Sequence, residues 1–266
     1  MRLARDALVR QLFAAALSGT AVLHREQRAS AAVAPAAAVT QRVFLDLRII
    51  KEFNVEVLED AAVRGRLEIG LYGRDAPLAT AKFLDFIQGT TGQYAKTGGG
   101  PAYSQAQFER IRPGELLEGG RIAGLRQTDF AGGVEWEYLS RLLPTLRPVL
   151  EVNELRHDAR GLLTIERFGD GGPNFGVTLG AAPQLDGTRE VIGRVESDPQ
   201  GLLAQIEQLP YITGKSLEGE GTAANSVFQA QKSFFTTLSK AAGDSRSEDR
   251  TGKLLRRVEI TQCGLL

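Results

Sequence analysis

Polar and apolar side chains alternate along Arg42-Val-Phe-Leu-Asp-Leu-Arg-Ile-Ile50, the two-residue period of a half-buried strand. Gly65-Arg-Leu-Glu-Ile-Gly-Leu-Tyr72 repeats the pattern, and Gly73-Arg-Asp-Ala-Pro77 reads as a turn. From Leu78 to Gln88 the apolar positions shift to helical spacing and stop at Gly89, a C-cap signal. Thr90 to Pro101 is a Gly-rich loop. Phe108-Glu-Arg-Ile-Arg112 is a short strand halted by Pro113-Gly114. Further strands are predicted over Gly161 to Ile165, Asn174 to Leu179, Glu190 to Val195 and Arg257 to Gln262, with a helix from Leu202 to Leu209. Short strands separated by turns, with two distant helices, predict a mainly β domain: a barrel with helical plugs.

Two stretches break this rhythm. Residues 136–148 form an apolar excursion that predicts a helix. A second helix is predicted near 226–242, where Val227, Phe228, Ala230, Phe234, Phe235 and Leu238 form one broad apolar face. That face either packs on the domain's own surface or meets a protein partner.

The first forty residues differ from the rest. Arg2, Arg5 and Arg10 precede an apolar run from Gln11 to Leu23, and an Ala-rich stretch ends near Ala38. A basic start, an apolar middle and small residues at Ala-x-Ala spacing predict a cleavable targeting segment over 1–40 and a mature domain over 41–266. The run falls short of the roughly 20 residues that cross a bilayer, so no integral membrane segment is expected in the mature protein. Lys+Arg and Asp+Glu both total 32, so no net charge recruits nucleic acid. One cysteine, Cys263, excludes an intrachain disulfide, and two histidines leave little to build a metal site or a Ser-His-Asp triad. No cofactor is expected.

Four segments, in order, resemble the cyclophilin framework. Gly65 to Phe83 is similar to its second strand and first helix. Phe108-Glu-Arg-Ile-Arg-Pro-Gly-Glu-Leu-Leu-Glu-Gly-Gly120 resembles its Phe-His-Arg-Val-Ile-Pro-Gly-Phe-Met-x-Gln-Gly-Gly signature. Asn174-Phe-Gly-Val-Thr-Leu179, Leu185-Asp-Gly187 and Val191-Ile-Gly193 follow the family's central stretch, and Val258 to Leu265 its closing strand and Cys-Gly tail. The resemblance implies a closed eight-stranded antiparallel barrel capped by two helices, a groove for X-Pro peptides, and peptidyl-prolyl cis-trans isomerase (rotamase) activity that assists protein folding. The helical insertion ahead of the Cys-Gly tail is similar to cyclophilins of the plant and algal thylakoid lumen. With the N-terminal segment it implies a transit peptide and the chloroplast thylakoid lumen, the alternatives being a mitochondrion or a bacterial periplasm.

Carried onto this chain, the resemblance makes Arg110 the catalytic arginine. It sets the substrate groove at Phe108, Glu115, Leu116, Glu118, Arg167, Asn174, Gly176, Gln184, Leu185 and Arg189. Several of these depart from the pattern. Glu115 and Gly176 stand where the family has aromatic walls, Gln184 replaces its tryptophan and Arg189 its histidine. Glu118 replaces a glutamine and Arg167 an asparagine, while Glu115 and Glu118 are positioned to pair with Arg110. Phe175 is expected in the barrel core. Burying an aromatic is worth roughly 1.5–3 kcal/mol, so two lost walls weaken a proline's grip by about 3–6 kcal/mol. Two functions follow: an isomerase acting on proline-containing polypeptides, or a weak or inactive cyclophilin-fold module in the assembly of a larger protein complex. His157 reads as loop scaffolding, Asp186-Gly187 as a turn, and Gly169-Asp-Gly-Gly172 as a loop without the Lys-Ser/Thr of a phosphate cradle.

Overall fold

The computed structural model describes residues 37–51, 62–130, 133–143, 146, 148–167, 169–213 and 251–266. The strands are β1 (Gln41–Ile50), β2 (Ala62–Leu71), β3 (Ala106–Arg112), β4 (Leu116–Ile122), β5 (Leu125–Phe130), β6 (Gly133–Tyr138), β7 (Arg141–Leu142), β8 (Leu162–Glu166), β9 (Phe175–Thr178), β10 (Arg189–Ser197) and β11 (Lys253–Leu265). Eight of them close an antiparallel barrel in the order β1-β11-β3-β4-β9-β8-β10-β2. Closure removes the unpaired edges that an open sheet would leave. The alternation read from the sequence decides what faces inward. On β1, Val43, Leu45, Leu47 and Ile49 are buried. On its outer face Asp46 accepts a hydrogen bond from Arg66 at 2.6 Å, and that guanidinium lies 3.9 Å from the centre of the Phe44 ring.

Helix α1 (Pro77–Gln88) follows the end of β2 and buries Ala79, Thr80, Phe83, Phe86 and Ile87. Proline opens it, where a missing N–H costs nothing, and Glu151 accepts from the orphan amides of Leu78 and Ala79 at 3.2 and 3.0 Å. It ends at Gly89 in the left-handed region (φ 65°), as its spacing predicts. Helix α2 (Leu202–Glu207) packs near the opposite end of β2, with Leu202, Leu203 and Ile206 buried. Phe83 of α1 meets Tyr103 and Phe175 in an aromatic cluster at centroid distances of 5.0 and 5.5 Å. Cys263 of β11 donates its thiol to the Ile87 carbonyl at 3.3 Å, and burial pushes that thiol up to about 11.

The 136–148 stretch differs from its expectation. Its first residues are strand: β5, β6 and β7 form a separate three-stranded sheet. Glu135 and Glu137 alternate with Trp136 and Tyr138, and the hairpin partner 125–130 supplies the hydrogen bonds a lone helix would make internally. The sheet rests on the Gly169–Gly172 loop. Trp136 donates to the Asp170 carbonyl at 3.0 Å, and a Cβ on Gly172 would lie 2.3 Å from the Trp136 ring. Gly172 therefore serves close packing. Of the expected targeting segment only 37–40 is described, and the helix expected at 226–242 lies wholly outside the described residues.

Candidate functional site

On β3 the buried positions are Ala106, Phe108 and Ile111, so the two-residue period slips once. The slip is a bulge: Phe108 stands opposite Gly119 and Arg110 opposite Glu118, two steps on β3 against one on β4. In unbroken alternation Arg110 would follow Phe108 into the core. The extra residue sends Ile111 inward instead and leaves Glu109 and Arg110 outside. Arg110 thereby lines a cleft of about 220 Å³ with Glu118, Gly119, Asn174, Phe175 and Arg189. Arg121 also borders it, held by Glu109 at 2.6 Å.

The residues expected in one groove do not all share one surface. Arg110, Glu118, Asn174 and Arg189 share this cleft, while Gln184 and Leu185 line an adjoining recess of about 410 Å³ that again includes Glu118 and Arg189. Phe108 is no part of either surface. It is buried, with its ring 5.4 Å from Phe175 in the core cluster, because the bulge lies just beyond it. Arg167 turns away to pair with Glu190 and donates to the Gly187 carbonyl at 3.2 Å, bracing β10 and the turn before it. Leu116 and Leu185 join Ala182 in a small apolar cluster beneath the recess. Glu115 and Glu118 form ion pairs with Arg112, and Glu118 also lies 3.6 Å from Arg189. Arg112 stands diagonally across from Glu118, within reach of both carboxylates.

The family model for cyclophilin type peptidyl-prolyl cis-trans isomerases matches residues 54–224. The chain belongs to the cyclophilin family. Among curated relatives, peptidyl-prolyl cis-trans isomerase A of Mycobacterium tuberculosis is 31% identical over 152 residues, 54% of this chain and 76% of that protein. A chloroplastic peptidyl-prolyl cis-trans isomerase of Arabidopsis thaliana is 26% identical over 245 residues, covering 81% of this chain and 70% of that protein. The closed barrel agrees with the cyclophilin fold.

Within this cyclophilin the floor of the groove is filled by the chain itself. Gly176 of β9 has no side chain, and a Cβ there would lie 2.7 Å from a Leu116 methyl and 3.3 Å from Arg189 Nη2. Leu116 and Arg189 thus occupy the space a wall residue at 176 would use. Arg189 is 5% exposed, and its Nη1 reaches Glu166 at 3.4 Å and Glu118 at 3.6 Å. Its buried Nε finds no hydrogen-bond partner among the described residues. Burial lowers the guanidinium pKa, against the pull of Glu118 and Glu166 and with Arg112 adding to the lowering. The resemblance sets Arg189 at the family's histidine position in the groove. Only the missing Cβ at 176 makes its burial intelligible.

Behind the recess, His157 is buried, with Nδ1 2.7 Å from Asp186 Oδ1 and Nε2 3.0 Å from Thr164 Oγ1. The carboxylate, imidazole and hydroxyl stand in a line, yet Thr164 is fully buried and meets no cleft. The His157 amide also donates to Asp186 at 3.0 Å, so the loop and the Asp186-Gly187 turn are pinned together, as scaffolding requires. Burial alone would raise the Asp186 carboxyl; the hydrogen bonds and charge of His157, with Arg156 beyond, bring it below its ordinary value. Among the described residues no cluster of three His, Cys, Asp or Glu side chains forms a metal site, and no helix is long and apolar enough to cross a membrane.

Proposed function

We propose that this cyclophilin binds proline-containing polypeptides and speeds their cis–trans exchange, with Arg110 as the donor to the prolyl nitrogen, in support of protein folding or assembly. The observation that carries the reading is the β3 bulge, which sets Arg110 on the wall of the cleft beside Asn174. Delocalisation of the amide nitrogen's lone pair gives rotation a barrier of about 18–20 kcal/mol. As the bond twists, the lone pair localises and accepts a hydrogen bond it could not accept in the planar state. A guanidinium already held in place favours the twisted state over the ground state, which is the condition for catalysis. Its permanent charge and rigid donor fork suit that task. The chemistry proceeds without a covalent intermediate.

A second reading is favoured by Arg189. With Leu116 and Arg189 over Gly176, the cleft offers a proline ring ionic walls where an apolar pocket is needed, so slow turnover or a purely binding role follows. The proposed compartment is the chloroplast thylakoid lumen, with residues 1–40 as a cleavable segment ahead of the 41–266 domain. Its support is the chloroplastic relative and the Arg-rich, acid-poor start of the chain.

A protease-coupled assay on an X-Pro tetrapeptide separates the two readings. The isomerase reading expects faster exchange than buffer and a fall of about a hundred-fold in that gain for Arg110→Ala, the usual cost of removing a preorganised donor. A wild-type rate equal to buffer, with the peptide still bound, rejects catalysis and leaves the binding module.

A further inference from the structure

Lys82 sits on α1 at the border of its buried face, next to Phe83 and one turn before Phe86. Lys82 borders a small recess of about 20 Å³ with Phe83, Phe86 and Tyr103. The same residue lines an open groove of about 480 Å³ walled by Leu78, Phe86, Leu146, Pro148, Val149 and Leu150. No residue of that groove belongs to the cleft of Arg110. Its rim is apolar and open: Leu78 is 60% and Leu150 74% exposed.

Among the described residues, the charged and titratable groups around Lys82 are Asp85, Glu151, Tyr103, Glu166 and Asp170. Asp85, one turn on, accepts from the Thr90 hydroxyl at 3.1 Å. Glu151 caps the start of α1 through the Leu78 and Ala79 amides. Tyr103 donates its phenol to the Pro173 carbonyl at 2.7 Å, and Glu166 faces Arg189. Asp170 lines the small recess and acts on Lys82 through space. The ammonium sits beside Phe83, Phe86 and Val149, and desolvation pulls it down to about 8 against the pull of Asp170.

We propose that Lys82 is an acyl-acceptor site, its ε-amine taking a short acyl group from a small thioester while the acyl chain beds in the groove beside Leu78, Val149 and Leu150. The neutral amine's lone pair attacks the thioester carbonyl carbon. The N–C bond forms, the C–S bond breaks, the sulfur leaves as thiolate, and the amine's surplus proton passes to water. The product is a neutral amide, so the charge that burial disfavours is gone. At pH 8 about half of Lys82 is free amine, against about 0.3% for an ordinary exposed lysine. The sign for stability follows. The unfolded chain binds the extra proton between about pH 8 and the ordinary lysine value of about 10.5, so the fold gains stability as pH rises through that window. Acylation supplies the same gain at neutral pH.

The test treats the full chain with acetyl and butyryl thioesters of N-acetylcysteamine at pH 7 to 10 and maps adducts by peptide mass spectrometry. Lys82 is expected to react at least tenfold faster than the exposed Lys51, Lys96 and Lys253, with a midpoint near pH 8. The preference should be larger for butyryl than for acetyl and should vanish in urea. The modified protein should melt higher than the unmodified one, and Lys82→Gln should reproduce that rise. Reaction of Lys82 no faster than the other three, or a rate still climbing beyond pH 10, overturns the proposal even if the Lys82→Gln variant fails to fold.

Discussion

The two faces of the β3–β4–β9 wall carry opposite chemistry. Inward, Phe108 and Phe175 meet Phe83 of α1 and Tyr103 at centroid distances of 5.0 to 5.5 Å, a continuous aromatic core. Outward, the same strands present Arg110, Arg112, Glu118 and Gly176, and β10 adds Arg189, so that the surface is a chain of ion pairs. Because successive side chains on a strand point to opposite faces, one face can be held for folding while the other is rewritten. The lesson is that family membership here rests on the inner face and activity on the outer one.

The largest break in that comparison comes from the inner face. Phe175→Ala should cost about 3–5 kcal/mol in urea unfolding, since it empties the centre of the aromatic cluster. Glu118→Ala on the outer face should cost about 1 kcal/mol or less, because its ion pairs are long and partly solvated. Equal losses would show that the ionic face also holds the fold. Next in size is reconstruction of the outer face. The atoms nearest a Cβ at 176 are the flexible ends of Leu116 and Arg189, so Gly176→Phe with Arg189→His and Glu118→Gln can be accommodated. One restored aromatic wall is worth roughly 1.5–3 kcal/mol, so kcat/KM on an X-Pro peptide should rise ten-fold or more. An unchanged kcat/KM in a folded variant would mean that the ionic filling is not what limits turnover.

The smallest effect probes the pin behind the recess. The Asp186 carboxyl is held below its unfolded value, so its contribution is complete above about pH 4 and is lost as pH falls through the folded value. Asp186→Asn should therefore destabilise by roughly 1 kcal/mol at pH 7, and the gap to wild type should narrow as pH falls towards 3. A gap that is the same at both pH values would detach the His157 contact from the carboxylate's charge.

Most of the barrel was legible because its signals are local. Alternation on β1 and β2, proline at the start of α1 and Gly89 at its end each act within a few residues. The misreading at 136–148 has a physical source: Tyr138, Leu142 and Leu146 recur four apart, as on a helical stripe, and only pairing with 125–130 makes 133–138 strand. For the candidate groove the sequence named positions, and the contacts between them came only with the fold. Phe108 and Arg110 lie two apart, which in a regular strand means the same face; a bulge that no residue type announces puts them on opposite ones. Glu115 and Glu118 were read toward Arg110 alone, and their pairs with Arg112 depend on cross-strand geometry. Lys82 carried no signal beyond a polar residue on an amphipathic helix, since its surroundings come from segments some 60 to 90 residues away in the chain.

The central claim is that one guanidinium, lifted from the core by a strand bulge, lowers the barrier to prolyl rotation. Exchange spectroscopy on an X-Pro peptide, with wild type and with Arg110→Ala at matched concentration, measures this directly. The account predicts cis–trans exchange faster than in buffer with wild type and return to the buffer rate with the variant, both proteins melting at the same temperature. Equal acceleration by both proteins would contradict it.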